Sequence, residues 1–159
     1  MATFKSVNYT YQAGEVQGGP KAAVGDISGR VRILNLAYTF AQNVIAIGDF
    51  VKLAKLPAGA RLVDFRLAVG DLGTTGAAKM GWAASDDAVE AADSTGLLAI
   101  TTMTSATDSV MLGAAVGFMK KFASGVDIQL EFTTATDAAN AIAVKGYIAY
   151  VIDLSLIHI

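Results

Sequence analysis

Residues 49–82, DFVKLAKLPAGARLVDFRLAVGDLGTTGAAKMGW, decide the fold class of this chain. They contain three apolar segments separated by two turn signals. Pro57 fixes its own φ and has no backbone donor for a sheet, and Gly59 can adopt the positive φ of a tight turn, so the first segment ends here. Three glycines between Gly70 and Gly76 mark the second turn. The stretch therefore predicts three strands joined by two turns, which we interpret as a meander of neighbouring strands.

The middle segment alternates with a period of two. Arg61, Val63, Phe65, Leu67 and Val69 share one side of it, and Leu62, Asp64, Arg66 and Ala68 share the other. Such alternation is typical of a half-buried antiparallel strand. In the third segment Ala78, Met80 and Trp82 alternate inward. The single tryptophan of the chain is therefore predicted to be a core residue.

Other segments show the same period. Apolar residues alternate over 34–40, then without exception over 126–132, and again over 142–152. Two short strands or irregular edges are expected between Ser94 and Ala115. Residues 117–122, GFMKKF, are expected to place Phe118 and Phe122 near a strand, with Lys120 and Lys121 projecting to solvent or to a sheet edge. No long amphipathic helical pattern interrupts the series, so the sequence predicts an all-β chain, an antiparallel β-sandwich or jelly roll of about eight strands.

The chain is predicted to divide into three parts. Its 159 residues fit one domain, which we place at residues 30–153. Residues 1–29 have no sustained period and many glycines, and they predict an extended N-terminal arm. Residues 154–159, LSLIHI, do not continue the pattern. They are interpreted as a C-terminal tail of doubtful origin, and no function is assigned to it or to His158.

The arm holds the candidate contact residues, which are Phe4, Tyr9, Tyr11 and Val16. Rigid aromatic rings bury large areas at low entropic cost, which is typical of residues at protein interfaces. The arm is therefore expected to lie across a neighbouring subunit. The alternative is a terminus that packs back on its own domain.

Composition limits the partners of the chain. Hydrophobic residues make up 53% and charged residues 16% of it, and the mean hydropathy is +0.48. These values predict an ordered chain with apolar surface left for other copies, as a homodimer or homotrimer. With a net charge of −2, the chain as a whole has no positive electrostatic field that would attract nucleic acid. No segment has the pattern of a membrane span or a signal peptide, so neither membrane insertion nor export is expected.

The sequence offers little catalytic chemistry. There is no cysteine and a single histidine, so the common nucleophile–histidine and histidine–metal sites are not expected. The loop from Gly70 to Lys79 lacks the spacing of a phosphate-binding loop. The acidic residues 85–93 lack the alternating ligands of a calcium loop and predict one or two helical turns or a solvated loop. We expect no enzyme, cofactor or metal, although distant carboxylates that meet in space remain a catalytic alternative.

The order of a KLPAGA turn, a DFRLAVG strand, a Gly/Thr loop and a KMGW strand resembles the small proteins that decorate or cement the heads of tailed bacteriophages. The likeness covers roughly residues 34–153. It implies a jelly-roll subunit that binds across neighbouring major capsid subunits, stabilises the phage head and lies on the capsid surface of the virion after synthesis in the host cytoplasm. The alternatives are a phage spike or fibre-tip module that binds host glycans, and a minor tail or capsid component.

Overall fold

The computed structural model describes residues 3–5, 31–40, 45–103, 107–111, 116–135 and 141–152. For residues 3–4 and 107–111 it describes the backbone alone. Within these ranges no helix is long and apolar enough to cross a membrane.

The described chain consists of nine strands. They are β1 (Thr3–Lys5), β2 (Arg32–Phe40), β3 (Phe50–Leu56), β4 (Ala60–Val69), β5 (Ala77–Trp82), β6 (Asp93–Thr102), β7 (Thr107–Met111), β8 (Val126–Phe132) and β9 (Ile142–Ile152). The alternating segments of the sequence correspond to β2, β4, β8 and β9. The region between Ser94 and Ala115, where two short strands or irregular edges were expected, contains β6 and β7.

The strands form a sandwich of two sheets. One sheet has the order β1-β3-β8-β5-β6 and the other has the order β2-β9-β4-β7. If β1 is set aside, each sheet has four strands, and the chain changes sheet at every connection from β2 to β9 except the one between β5 and β6. This is the topology of a jelly roll. The predicted all-β sandwich is confirmed.

The predicted meander of β3, β4 and β5 is wrong. β3 and β5 belong to the five-stranded sheet, and β4 belongs to the four-stranded sheet. The turn between β3 and β4 carries the chain across the sandwich, and its Gly59 has a φ of 77°. A period of two shows that one face of a strand is buried. It does not show which strand lies beside it, so the sequence pattern alone could not separate a hairpin from a crossing.

The alternation predicted for β4 is interrupted. Phe65, Leu67 and Val69 point into the core as predicted, but at the start of the strand the buried residue is Leu62 and not Arg61 or Val63. The register against β9 shifts between Leu62 and Asp64. A β-bulge adds one residue to a strand and reverses the faces of the residues before it.

The short strand β1 brings the beginning of the predicted arm to the domain of the same chain. Thr3, Phe4 and Lys5 pair in parallel with Phe50, Val51 and Lys52 of β3. This pairing is the one parallel contact among the described strands, and every other strand pair is antiparallel. The residues from 6 to 30 and from 153 to 159 lie outside the described part.

The core fills the space between the two sheets. Side chains from β2, β3, β4, β5, β8 and β9 form one buried apolar cluster with Leu72, Leu97, Leu98, Met103 and Phe122. Phe40 meets Phe132 edge to face, with 5.1 Å between the ring centres. Trp82 is a core residue as predicted, with 2% of its surface exposed. Burial of each large apolar side chain contributes about 1.5–3 kcal/mol, and this one core unites both sheets.

The register defines two ends of the sandwich. β3 and β5 run toward one end, where β4, β6 and β8 begin. This end carries the loops 83–92 and 116–125, which we call the apolar end because they expose large apolar side chains. The opposite end carries residues 45–49, 70–76, 103 and 133–135, which we call the far end.

Candidate functional site

Exposed apolar side chains concentrate at one end of the molecule. Among the described residues, the exposed large hydrophobic side chains are those of Val31, Ile33, Ile47, Val89, Ile100, Val116, Phe118 and Met119. Half of these residues lie in the loops 83–92 and 116–125. Single exposed apolar residues are ordinary, whereas several on adjoining loops mark an interaction site. The apolar end is therefore the candidate functional site.

The loop 116–125 is fixed to the beginning of β4 by its backbone. Leu62 N–H donates to the Lys120 carbonyl (2.9 Å), and Phe122 N–H donates to the Ala60 carbonyl (2.8 Å). Gly59 N–H in turn donates to the Phe122 carbonyl at 2.8 Å. These bonds hold the loop beside the four-stranded sheet, and they leave Val116, Phe118 and Met119 of the preceding turn at the surface.

The same loop contacts the five-stranded sheet through an aromatic contact and two glycines. The Phe122 ring is fully buried and meets Trp82 edge to face at 5.2 Å. A Cβ at Gly96 would overlap the Trp82 ring, and a Cβ at Gly117 would overlap the Gly96 carbonyl oxygen. Because both glycines lack side chains, the loop can lie directly against β6. It closes the side of the sandwich between the two sheets.

A carboxylate joins the two loops of the apolar end. Glu90 accepts a hydrogen bond from Ala123 N–H at 2.6 Å and an ion-paired bond from Lys120 Nζ at 3.1 Å. The Lys120 ammonium also lies 5.3 Å from the centre of the Trp82 ring, a cation–π distance. Trp82 Nε1–H donates to the Ala91 carbonyl at 3.0 Å. Lys120 is therefore partly enclosed, whereas the sequence predicted that it would project to solvent or to a sheet edge.

A second carboxylate, that of Asp87, organises the outer part of the loops. It accepts hydrogen bonds from Ser85 Oγ (2.6 Å), Ser124 Oγ (2.6 Å) and the Val89 N–H (3.1 Å). The bonds from Ser124 and then Ser85 stabilise the ionised form and lower the pKa of Asp87 from 3.8 to about 2. The acidic segment is thus a loop and not a helix, and its carboxylates hold the loop. No group of three or more metal-ligating side chains comes together within the described ranges.

Two residues of the apolar end have strained backbones. Ala88 has a φ of 60° and Met119 a φ of 58°. This left-handed conformation costs a residue with a Cβ about 1–2 kcal/mol. Ala88 is followed by the exposed Val89, and Met119 is preceded by the exposed Phe118. Strain of this kind persists where the surrounding contacts hold it, and it often occurs at functional sites.

The contact residues predicted from the sequence are not brought to this site by the described structure. Phe4 lies in β1, where its backbone is opposite Val51 of β3. Tyr9, Tyr11 and Val16 lie outside the described residues. The sequence analysis missed the apolar end, because it placed residues 117–122, GFMKKF, near a strand. The available signal was the apolar run before the lysine pair, in which Phe118 and Met119 are adjacent and so cannot both face a core across a strand.

The fold defines the class of the protein as a jelly roll of the kind that occurs in phage capsid structures. The chain resembles one in the capsid of Ralstonia phage GP4 with a TM-score of 0.74 and 23% identity, over 97% of this chain and 100% of the other. It resembles a chain in the capsid asymmetric unit of cyanophage Pam1 with a TM-score of 0.65 and 17% identity, over 86% and 95%.

A third chain has the same fold. It comes from the acid-stable capsid structure of Helicobacter pylori bacteriophage KHP30 and matches with a TM-score of 0.51 and 13% identity, over 77% of this chain and 94% of that one. No protein-family profile and no curated protein matches the sequence. The TM-scores establish a shared fold, and at identities this low the likeness extends to the fold alone.

Proposed function

We propose that this chain is a structural protein of a phage virion, and specifically a head decoration protein that binds across neighbouring major capsid subunits and stabilises the head. The observation that supports this most strongly is the likeness to a chain of the GP4 capsid, which spans 97% of this chain and the whole of the other. A match over nearly the whole length of both chains favours a similar structural role over a shared fragment.

In this proposal the apolar end is the surface that meets the capsid. Its four exposed side chains, those of Val89, Val116, Phe118 and Met119, supply apolar area. The bonds of Glu90 and Asp87 fix the loops before binding, so little conformational entropy remains to be lost in the complex. Repetition of one modest contact around the capsid lattice then multiplies its effect on the stability of the shell.

The N-terminal arm is proposed as a second contact element. Phe4, Tyr9, Tyr11 and Val16 would bury against a neighbouring subunit, while β1 ties the beginning of the arm to its own domain. Replacement of Tyr9 and Tyr11 by alanine tests this without removing β1. Weaker attachment to heads supports the arm as a contact, and unchanged attachment contradicts it.

We further propose that the protein is a homo-oligomer without enzymatic activity or a cofactor, located on the capsid surface after synthesis in the host cytoplasm. Its partners would be the major capsid protein and other copies of itself. The carboxylates of the apolar end support a structural role, because Asp87 and Glu90 are occupied in holding loops.

The proposal is tested by adding the purified protein to undecorated phage heads and imaging the particles by electron microscopy, with a glycan array run on the same sample. Regular density on the head with no glycan binding supports decoration. Glycan binding without density on the head would favour a spike or fibre-tip module instead. Density confined to one vertex or to the tail would favour a minor tail or capsid component.

Two matched variants locate the contact on the molecule. Phe118→Ser removes an exposed side chain from the apolar end, and Ile47→Ser removes one from the far end, with exposed fractions of 61% and 70%. Neither residue belongs to the core, so both variants should fold. Phe118→Ser should lower head occupancy at least about tenfold, since buried aromatic anchors dominate interface energies. Equal losses in both variants would contradict the assignment of the apolar end as the contact.

A further inference from the structure

The edge strand β2 differs from the other strands at the sides of the sandwich. In the described part of the chain, β2 pairs with β9 alone, from Arg32 to Phe40, with no shift of register. Its other side forms the edge of the four-stranded sheet. An edge strand presents a row of backbone N–H and C=O groups that can pair with another chain.

The register identifies the outward-facing groups. Gly70 N–H donates to the Ala143 carbonyl at 2.8 Å, so Ala143 of β9 bonds toward β4. Successive residues of an antiparallel strand direct their backbone groups to alternate sides. The even-numbered residues of β9 therefore bond toward β2, and they lie opposite the even-numbered residues of β2. It follows that Ile33, Asn35 and Ala37 direct their N–H and C=O groups away from the sheet.

Beyond Arg32 at its start, this edge lacks the features that usually prevent strand pairing. Residues 33–40, ILNLAYTF, include no charged residue and no proline. Ile33, Asn35 and Ala37 are exposed, and Ile33 has 62% of its surface exposed. The other three edges differ: β1 has three residues and ends in Lys5, while β6 and β7 pair with their neighbours through register shifts. Charge, short length and bulges all discourage pairing at an edge.

We propose that β2 is the edge through which two copies of this chain associate, antiparallel and about a two-fold axis at Asn35, so that two four-stranded sheets become one of eight strands. With the axis at this residue, Ile33 of one copy lies opposite Ala37 of the other, and the two Asn35 residues face each other. Each of these odd-numbered pairs exchanges two backbone hydrogen bonds, and the even-numbered pairs between them exchange none. The inference rests on the homo-oligomer of the proposed function but not on head binding.

A second copy fits this edge because the strand is complementary to itself. A partner strand must offer its own open row of backbone groups and bring no charge against the uncharged edge. Within the described residues, the uncharged part of β2, residues 33–40, meets both conditions, and Arg32 at the start of the strand would lie opposite the neutral Tyr38 of the other copy. The symmetric pairing also places the exposed side chain of Ile33 beside a small alanine on the outer face of the joined sheet. An interface of this kind is isologous, with the same surface used by both copies.

The test uses charge at the axis in the full-length protein. Asn35→Lys places two ammonium groups opposite each other, and Asn35→Glu places two carboxylates there. Asn35 is exposed on the outer face, so neither variant disturbs the core. In sedimentation equilibrium the dimer dissociation constant of each variant alone should be at least about tenfold higher than that of the parent, because like charges so close repel each other. An equimolar mixture of the two variants should restore the dimer, since the opposite charges then meet.

Thr102→Lys is the matched control. Thr102 is an exposed residue at the end of β6, the edge strand of the other sheet, and this variant should associate like the parent. Residue-resolved hydrogen exchange gives an independent readout. In the dimer the amides of Ile33, Asn35 and Ala37 should be protected, and in Asn35→Lys they should exchange rapidly while those of Leu34 and Leu36 stay protected by β9.

Three results would overturn the inference: a parent protein that is monomeric at high micromolar concentration, an oligomer that Asn35→Lys leaves intact, or rapid exchange at the three odd-numbered amides in the oligomer. Head occupancy is measured separately with the same variants. A monomeric Asn35→Lys protein that still binds heads would support both this interface and the proposed function. A dimer that never binds heads would support the interface and contradict the proposed function.

Discussion

The two ends of the sandwich close the same core with different interactions. At the far end the backbone itself makes many of the connections: Leu72 N–H donates to the Met103 carbonyl at 3.0 Å, and Met103 N–H donates to the Gly76 carbonyl at 2.8 Å. Positive φ values there fall on glycines, at Gly48 and Gly73. At the apolar end, side chains make many of the connections between loops, and the positive φ values of its two loops fall on Ala88 and Met119.

Charged side chains join the loops of the apolar end, whereas at the far end a neutral hydroxyl does so: Thr134 Oγ1 accepts from Ala77 N–H at 2.8 Å and donates to the Thr75 carbonyl at 2.7 Å. Backbone bonds and glycine turns can be formed by many sequences, whereas the contacts of Glu90 with Lys120 and of Asp87 with Ser124 require those residues. A costly conformation at Met119 is retained next to the exposed ring of Phe118. The apolar end thus combines rigidity with exposed apolar area, as a preformed contact surface should.

The largest effect is expected from Trp82→Ala. This change removes the ring that Gly96, Phe122 and Lys120 contact, and large-to-small substitutions of buried aromatic residues cost about 3–5 kcal/mol. Chemical denaturation measures the loss, and hydrogen exchange should show faster opening of both loops of the apolar end. Leu72→Ala, a fully buried residue of the far end, is the control. This variant should destabilise the whole protein, but the apolar-end loops should open no more readily than the rest of the fold. If hydrogen exchange in those loops increased equally in both variants, the two ends would not differ in the way described.

A smaller loss is expected from Glu90→Ala. The change leaves the Ala123 N–H and the Lys120 ammonium without their carboxylate, and loss of one partner from a partly buried charged hydrogen bond costs about 1–3 kcal/mol. Glu131→Ala is the matched control because it breaks the Lys79–Glu131 pair (3.0 Å) on the outer face of a sheet. This pair is about as exposed as the Lys120–Glu90 pair, but among the described residues no backbone N–H donates to Glu131, so its loss should cost only about 0–1 kcal/mol. If the two variants lowered the denaturation midpoint of the parent by the same amount, Glu90 would have no special role in joining the loops.

The sequence was sufficient to predict the strands whose alternation is unbroken. β8 and β9 were predicted within the bounds that the structure shows, because each alternates inward apolar residues with outward ones along its length. The prediction for β4 was wrong at its beginning, since the bulge after Leu62 adds a residue without any marker in the sequence. The meander was wrong because alternation reports burial and carries no information about neighbours.

The candidate site was less predictable than the fold. Interface residues on loops have no period, and the apolar end depends on contacts between segments far apart in the chain, such as Glu90 with Ala123. Glycines 96 and 117 are ordinary in the sequence, and only the packing against Trp82 and β6 explains them. The two strained residues could not be recognised either, because alanine and methionine give no indication of a positive φ.

Met119→Gly should raise stability and lower head binding. Glycine adopts the φ of 58° without steric cost, which recovers about 1–2 kcal/mol, and its greater freedom in the unfolded chain offsets about 0.5–1 kcal/mol. The net gain of about 0.5–1 kcal/mol is measured by denaturation. At the far end the reverse change, Gly73→Ala at a φ of 89°, should destabilise by about 1 kcal/mol. A destabilised Met119→Gly protein would mean that the methionine side chain contributes more packing than its exposure suggests.

The smallest effect concerns acid. The pKa of Asp87 is lowered to about 2 in the folded protein from 3.8, chiefly by the hydrogen bonds from Ser124 and Ser85. A carboxyl whose folded pKa is depressed stabilises the fold at pH values above its unfolded pKa, and this contribution is lost as the pH falls through the folded value. Thermal unfolding of the parent and of Asp87→Asn should therefore differ most above about pH 4, and the difference should shrink toward pH 2. Asp71→Asn serves as the far-end control, because within the described part of the chain that carboxylate accepts only a local bond, from Gly73 N–H at 2.8 Å. If the difference in unfolding temperature between the parent and Asp87→Asn stayed constant from pH 5 to pH 2, the effect of the substitution would not depend on ionisation. The charge of Asp87 would then not be what holds the apolar end.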